Sequence, residues 1–221
     1  MSIRSLFRGR RRALGLAVVM LLATVVAPLS ASAYYMGWPN GHWPYSGGGL
    51  HVHYSRGCAG TFYGAAGDAA SGWTATPTPI WYDEVGSPPC NGGVYNGYVD
   101  IYSTYQPSVS WWGWAQAYTL HTVCDFWFFG CLSSHQVLDP SWNETYAAGQ
   151  IMLNTAKANS GNYFLQVGDV THEMGHILGL AHAGAYCGCG DPNSYYSIMD
   201  YLNWSYNRPR TYDINTINYL Y

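Results

Sequence analysis

In 221 residues only 10% are charged, whereas 21 are tyrosine, 10 tryptophan and 26 glycine, and the formal net charge is −3. So much apolar and aromatic material argues against a disordered chain. Nine basic residues, five of them before position 13, leave nothing with which to build a phosphate-binding patch, so a nucleic-acid role is excluded.

The chain opens with Arg4, Arg8, Arg10, Arg11 and Arg12, an apolar run over residues 13–27 and then Ala31-Ser32-Ala33. A basic start, a short apolar stretch and an A-x-A site make residues 1–33 a secretory signal peptide, and the run is shorter than the roughly 20 residues that a membrane span needs. Export to the extracellular space is expected, with cleavage after Ala33 and no membrane anchor thereafter. Residues 34–221 then form one domain of 188 residues with a net charge of −8, long enough for a sizeable core. All six cysteines, Cys58, Cys90, Cys124, Cys131, Cys187 and Cys189, lie in it. An even count in an exported chain argues for three disulfides. Of the fifteen possible connectivities, sequential pairing is the expected one, with Cys187 and Cys189 closing a tight ring across Gly188.

Residues 34–49, rich in Gly, Pro and aromatics, read as irregular. Residues 50–55 alternate Leu, Val and Tyr with His51 and His53, which predicts a strand whose histidines share the other face; such histidines are more often solvated than metal-bound. Phe62, Ala65, Ala66, Ala69 and Trp73 recur at helical spacing, so residues 61–74 are predicted helical, and Thr76-Pro77-Thr78-Pro79 ends that helix. Strands follow at 80–85 and 98–105 around a Gly/Pro/Asn-rich loop at Cys90, and another within 114–123. Next come a hairpin-like loop closed by Cys124 and Cys131 that carries Phe126, Trp127, Phe128 and Phe129, a segment at 135–144, and an apolar run at 150–154. The aromatic loop reads equally as a binding surface or as core filling. His121 and His135 have no acids at metal-ligand spacing around them.

Residues 170–182 read V-T-H-E-M-G-H-I-L-G-L-A-H. Positions i and i+4 of a helix share a face, so His172 and His176 can offer imidazole nitrogens to one cation at roughly 2.0–2.1 Å. Were the helix to continue, His182 would stand roughly 9 Å further along the axis. The helix therefore has to stop. Gly179 permits this, because glycine enters the left-handed conformation that ends helices and turns the chain so that His182 becomes a third ligand. Three imidazoles leave one position of a zinc ion open, the catalytic pattern, and Glu173 beside the first ligand is placed to take a proton from water there. Val170, Met174, Ile177 and Leu178 give the same helix an apolar core face.

Beyond a Cys- and Gly-rich loop over 184–194 comes Ser197-Ile198-Met199-Asp200-Tyr201, and residues 211–221 predict a closing helix with Thr211 as its cap. The pattern His172-Glu173-x-x-His176-x-x-Gly179-x-x-His182, followed by Met199 in a turn, resembles the metzincin metalloproteases, and T-Y-D-I-N-T-I-N-Y-L-Y is similar to the last helix of matrixin-like members. The resemblance covers about residues 50–221. It implies an α+β catalytic domain of secreted, bacterial type: a mixed, mainly parallel twisted sheet with flanking helices, a zinc helix and a C-terminal helix. It further implies one catalytic Zn2+ on His172, His176 and His182, Met199 as a hydrophobic base beneath them, and Tyr201 as a phenol able to reach the metal or the oxyanion, as in astacin-like and serralysin-like members. A structural Ca2+ is not predictable from the sequence. The strand within 113–118 is implied to pair with a protein or peptide substrate in extended conformation. The chain departs from matrixins in lacking P-R-C-G-x-P-D, in carrying Tyr201 where they have proline, and in Ala183 after the third ligand.

The expected activity is that of a secreted, monomeric zinc endopeptidase that hydrolyses peptide bonds with Glu173 as the base. The competing expectation is a zinc-bearing extracellular module that binds protein or glycan on its aromatic loops without cleaving it.

Overall fold

Alternating apolar side chains build a six-stranded sheet in the order β2-β1-β3-β6-β4-β5. A computed structural model describes residues 41–86, 94, 97–127, 130–183, 196–200 and 205–221, with the side chains of 125–133 and 158 left out. All of these fall in one compact unit, Tyr35–Tyr221. Residues 1–33, Tyr201, Cys90, Cys187 and Cys189 lie outside the described residues. The elements are β1 (Leu50–Cys58), α1 (Tyr63–Thr74), β2 (Ile80–Glu84), β3 (Val99–Thr104), β4 (Gly113–Trp127), β5 (Gly130–Pro140), β6 (Ala148–Asn154), α2 (Tyr163–Ile177) and α3 (Thr211–Leu220). β1 runs parallel to β2 and β3, and β3 parallel to β6, whereas β4 is antiparallel to both β6 and β5. The α+β class and the mixed, mainly parallel sheet are as expected. No helix among the described residues is long and apolar enough to cross a membrane.

One face of the sheet, with Val52, Tyr54, Ile80, Val99, Ile101, Ile151 and Leu153, meets α1 and α2 in the core. The core side of α1 is Ala65, Ala66, Ala69 and Ala70, small enough for α2 to come close, and Trp73 closes the contact by donating Nε1–H to the carbonyl of Thr171 at 3.0 Å. The tyrosine- and tryptophan-rich composition has a further use at the end of α2, where the last carbonyls of a helix lack partners. Tyr82 donates to Met174 O, Trp43 Nε1 to Ile177 O and Tyr221 to Leu178 O, at 2.9, 2.9 and 3.1 Å. These bonds clamp α2 against β2, the first described segment and the last residue of the chain.

The hairpin-like segment expected between Cys124 and Cys131 falls at the end of a longer hairpin: β4 runs past the strand expected within 114–123 to Trp127 and pairs with β5 from Tyr118↔Pro140 to Trp127↔Gly130. Aromatic residues are good strand formers, and their density carries β4 this far. β5 itself went unread because Ser133, Ser134, His135 and Gln136 give no apolar period, as suits the edge of a sheet. Thr211 is the first helical residue rather than the cap of α3: Arg210 is the N-cap, and its N–H is held by the Asp213 carboxylate at 2.7 Å. Cys58 and Cys124 are each in a disulfide and no described cysteine is free, while the expected pairings fall on side chains outside the described set. His51 and His53 lie exposed, with His51 Nδ1 2.6 Å from Asp83 and its ring stacked on Trp81.

Candidate metal centre

α2 starts at Asn162, whose side chain accepts from Leu165 N–H, and it carries His172, Glu173 and His176 into the interior. It ends as a Schellman turn. Gly179 takes φ +91, its N–H reaches His176 O at 2.9 Å, and Leu180 N–H reaches back to Gly175 O at 3.0 Å. A Cβ at Gly179 would also lie 2.4 Å from Gly41 O, so both the backbone conformation and the available space demand glycine. The turn does more than stop the helix. It aims the carbonyl of Leu180 at Nδ1 of His176, which donates to it at 2.7 Å. Ala183 N–H then bonds Met199 O at 2.9 Å, tying the residue after His182 to the 197–200 turn.

That turn lies under the histidines. Met199 is fully buried, and a Cβ on Gly175 would meet its Sδ at 2.4 Å, so the thioether rests on α2 between the turns that carry His172 and His176. Its backbone matters as well: Ile198 O accepts from Nδ1 of His172 at 2.8 Å. Asp213, the fully buried carboxylate of α3, fixes the turn from behind by accepting from Ser197 Oγ at 2.5 Å and from Ile198 N–H at 3.0 Å. Burial raises the Asp213 carboxyl to about 6 in spite of these bonds.

With both Nδ1 atoms donating to carbonyls, His172 and His176 turn Nε2 lone pairs inward, which is the tautomer a metal ligand needs. Ligand nitrogens of His172, His176 and His182 all lie within 4.8 Å of one another, and Nε2 of His176 is 3.1 Å from Nε2 of His182. Two nitrogens on a tetrahedral zinc stand about 3.3 Å apart, so the three imidazoles fit such an ion. Electrostatics agree. Burial, then the charge on His182, lowers His172 to about 4; burial, His172 and His182 push His176 well below its usual value; and partial burial lowers the more exposed His182. All three are therefore neutral near pH 7, the form that binds a cation.

Glu173 opens into the same cleft and is 6% exposed. Burial, and after it the Asp169 charge, holds its carboxyl well above the usual carboxylate range. The cleft has a volume of about 330 Å3 and is lined by Trp111, Gly113, Trp114, Ala115, Trp142, Glu173, His176 and His182. Among the described residues, one wall is a bare strand edge. Asn154 N–H donates to Trp112 O, so the antiparallel ladder turns residues 112, 114 and 116 toward β6 and turns the N–H and C=O groups of Gly113 and Ala115 away from it. β5 covers β4 only from Tyr118 onward.

The structure thus brings His172, Glu173, His176, Gly179, His182 and Met199 together, while Tyr201 lies outside the described residues. Sequence reasoning missed Asp213, Asp169, Trp142 and the carbonyls of Leu180 and Ile198. Only Asp213 carried a local signal, an acid in the first turn of a helix.

No family model and no curated protein matches the chain. Among solved structures, High choriolytic enzyme 1, a hatching enzyme zinc-protease from the medaka fish Oryzias latipes, is similar at 14% identity over 81% of this chain and 93% of that one, with a TM-score of 0.42. A likeness of that size carries no argument about activity, which rests on the geometry of the site.

Proposed function

We propose that this chain is a secreted zinc-dependent endopeptidase of the metzincin type, matrixin-like in its closing helix, that acts as a monomer on extended polypeptide. The observation that carries the reading is the convergence of three neutral imidazoles beside a buried carboxyl in a cleft whose wall is a free strand edge. His172, His176 and His182 would hold the ion, with Ile198 O and Leu180 O keeping two of the rings in the ligating tautomer. Zinc supplies Lewis acidity, which brings the pKa of water near 7 and polarises a carbonyl.

The remaining work belongs to the protein. Gly113 and Ala115 offer backbone donors and acceptors to an extended peptide, which would join the sheet as a further strand and lie across the cleft. Glu173, acting as the carboxylate, takes the proton of the attacking water and returns it to the leaving amine. Trp111, Trp114 and Trp142 narrow the cleft and exclude solvent from it. Those indoles also give the non-cleaving alternative its footing, since a tryptophan-lined cleft can hold a peptide or a glycan without reacting.

Incubation of the purified chain from Tyr34 onward with casein separates the two readings. Fragmentation that stops with a chelator and returns with added ZnCl2 is expected of the endopeptidase; binding without fragmentation under zinc saturation would rule it out.

A further inference from the structure

One helical turn before Glu173 stands a carboxyl that the proposed reaction does not use. Asp169 is 1% exposed. Its Oδ2 accepts from Nδ2 of the fully buried Asn159 at 2.6 Å, whereas its Oδ1 has no hydrogen-bond partner among the described residues. A buried oxygen without a donor is destabilising, so the bond from Asn159 accounts for Oδ2 but leaves Oδ1 without a structural reason. Gly113 supplies one. A Cβ at Gly113 would lie 2.8 Å from Asp169 Oδ1, 2.8 Å from Glu173 Oε1 and 2.8 Å from Glu173 Cγ. Both carboxyls thus converge on one bare Cα of β4, and Oδ1 and Oε1 lie within twice that distance of each other.

We propose that Asp169 is a positioning residue for Glu173: its carboxyl, anchored from behind by Asn159, forms with the bare Cα of Gly113 a seat that keeps the Glu173 carboxyl turned into the cleft. This rests on the reading of Glu173 as the proton acceptor. Asp169 is faced by Asn159 from the 158–161 turn, Gly113 from β4 and Glu173 from its own helix, and none of these is cationic. Burial raises the Asp169 carboxyl to about 7, against the smaller lowering effect of Asn159.

The test compares Asp169→Leu, Asp169→Ala and Asp169→Asn, each loaded with ZnCl2. Partners that orient a site typically matter by about 10- to 100-fold, so Leu and Ala should lower kcat by that factor with KM and bound zinc unchanged. Asp169→Asn should restore most of the rate, because its oxygen can accept from Asn159 while its side chain keeps the shape of the carboxyl against Gly113 and Glu173. Crystal structures of the Leu or Ala variant should have the Glu173 carboxyl displaced from its wild-type position. Full kcat in those variants, an Asn variant as impaired as they are, or an unmoved Glu173 would overturn the proposal. Should the zinc-loaded wild type cleave nothing, the proposed function fails by itself, and the position of Glu173 in the Leu or Ala variant still decides this inference.

Discussion

His172 is held neutral by burial, with a folded value of about 4 against an ordinary 6.5, and His176 and His182 are displaced in the same direction. The sign of the consequence is fixed by linkage. A histidine whose folded pKa is depressed contributes stability above the unfolded value, and that contribution is lost as pH falls through the folded one. The metal-free protein should therefore hold its melting temperature from pH 8 to about 6.5 and lose it steeply toward pH 4, as scanning calorimetry in chelator would record. His172→Gln should flatten that slope. Metal uptake should weaken over the same window, since protons and metal compete for one lone pair. Met199 acts at this scale too: fully buried against Gly175, it should cost about 2–5 kcal/mol when cut to Ala and much less when changed to Leu, measured by denaturant unfolding of the metal-free form.

At the scale of elements, the end of α2 and the 197–200 turn form a single device in which one segment supplies the ligands and the other orients them. Gly179→Ala forces a side chain into φ +91 and against Gly41 O, so about 1–3 kcal/mol of stability should be lost. Because Leu180 O would shift from His176 Nδ1, zinc affinity measured by chelator competition should fall as well. Asp213→Ala leaves Ser197 Oγ and the N–H of Ile198 without their acceptor more than a dozen residues away in sequence. That loss should destabilise the fold by about 1–3 kcal/mol per orphaned group and loosen His172, which a lower zinc affinity would report. These partners explain why the site was only half legible beforehand. The spacing of His172, His176 and His182 is a local property that three residue types and one glycine announce. Asp213 and Trp142 reach the site through tertiary contacts, which no periodicity records, and Asp169, one turn before Glu173 on α2, is set there by Asn159 and Gly113 from other elements. The same holds for strands: β1, β2, β3 and β6 carry buried apolar residues that mark them, whereas the polar β5 is a strand only because β4 lies beside it.

Across the described residues, β4 leaves the backbone of Gly113 and Ala115 bare beside α2, and α2, which carries His172 and His176, is locked by aromatic donors to β2, Trp43 and Tyr221. The lock ties zinc binding to global stability. A ligand present at a thousand times its dissociation constant adds about 4 kcal/mol to the folded state, and a chain of this size gains about 2–4 °C per kcal/mol, so ZnCl2 should raise the melting temperature by roughly ten degrees. MgCl2, which prefers oxygen ligands, should not.

The central claim is hydrolysis by a carboxyl acting beside a three-histidine metal site, and casein cleavage by zinc-loaded Glu173→Ala measures it most directly. The variant should fold, bind zinc with wild-type stoichiometry and cleave at less than about one-hundredth of the wild-type rate, as loss of a general base implies. Cleavage at the wild-type rate by that variant would contradict the claim.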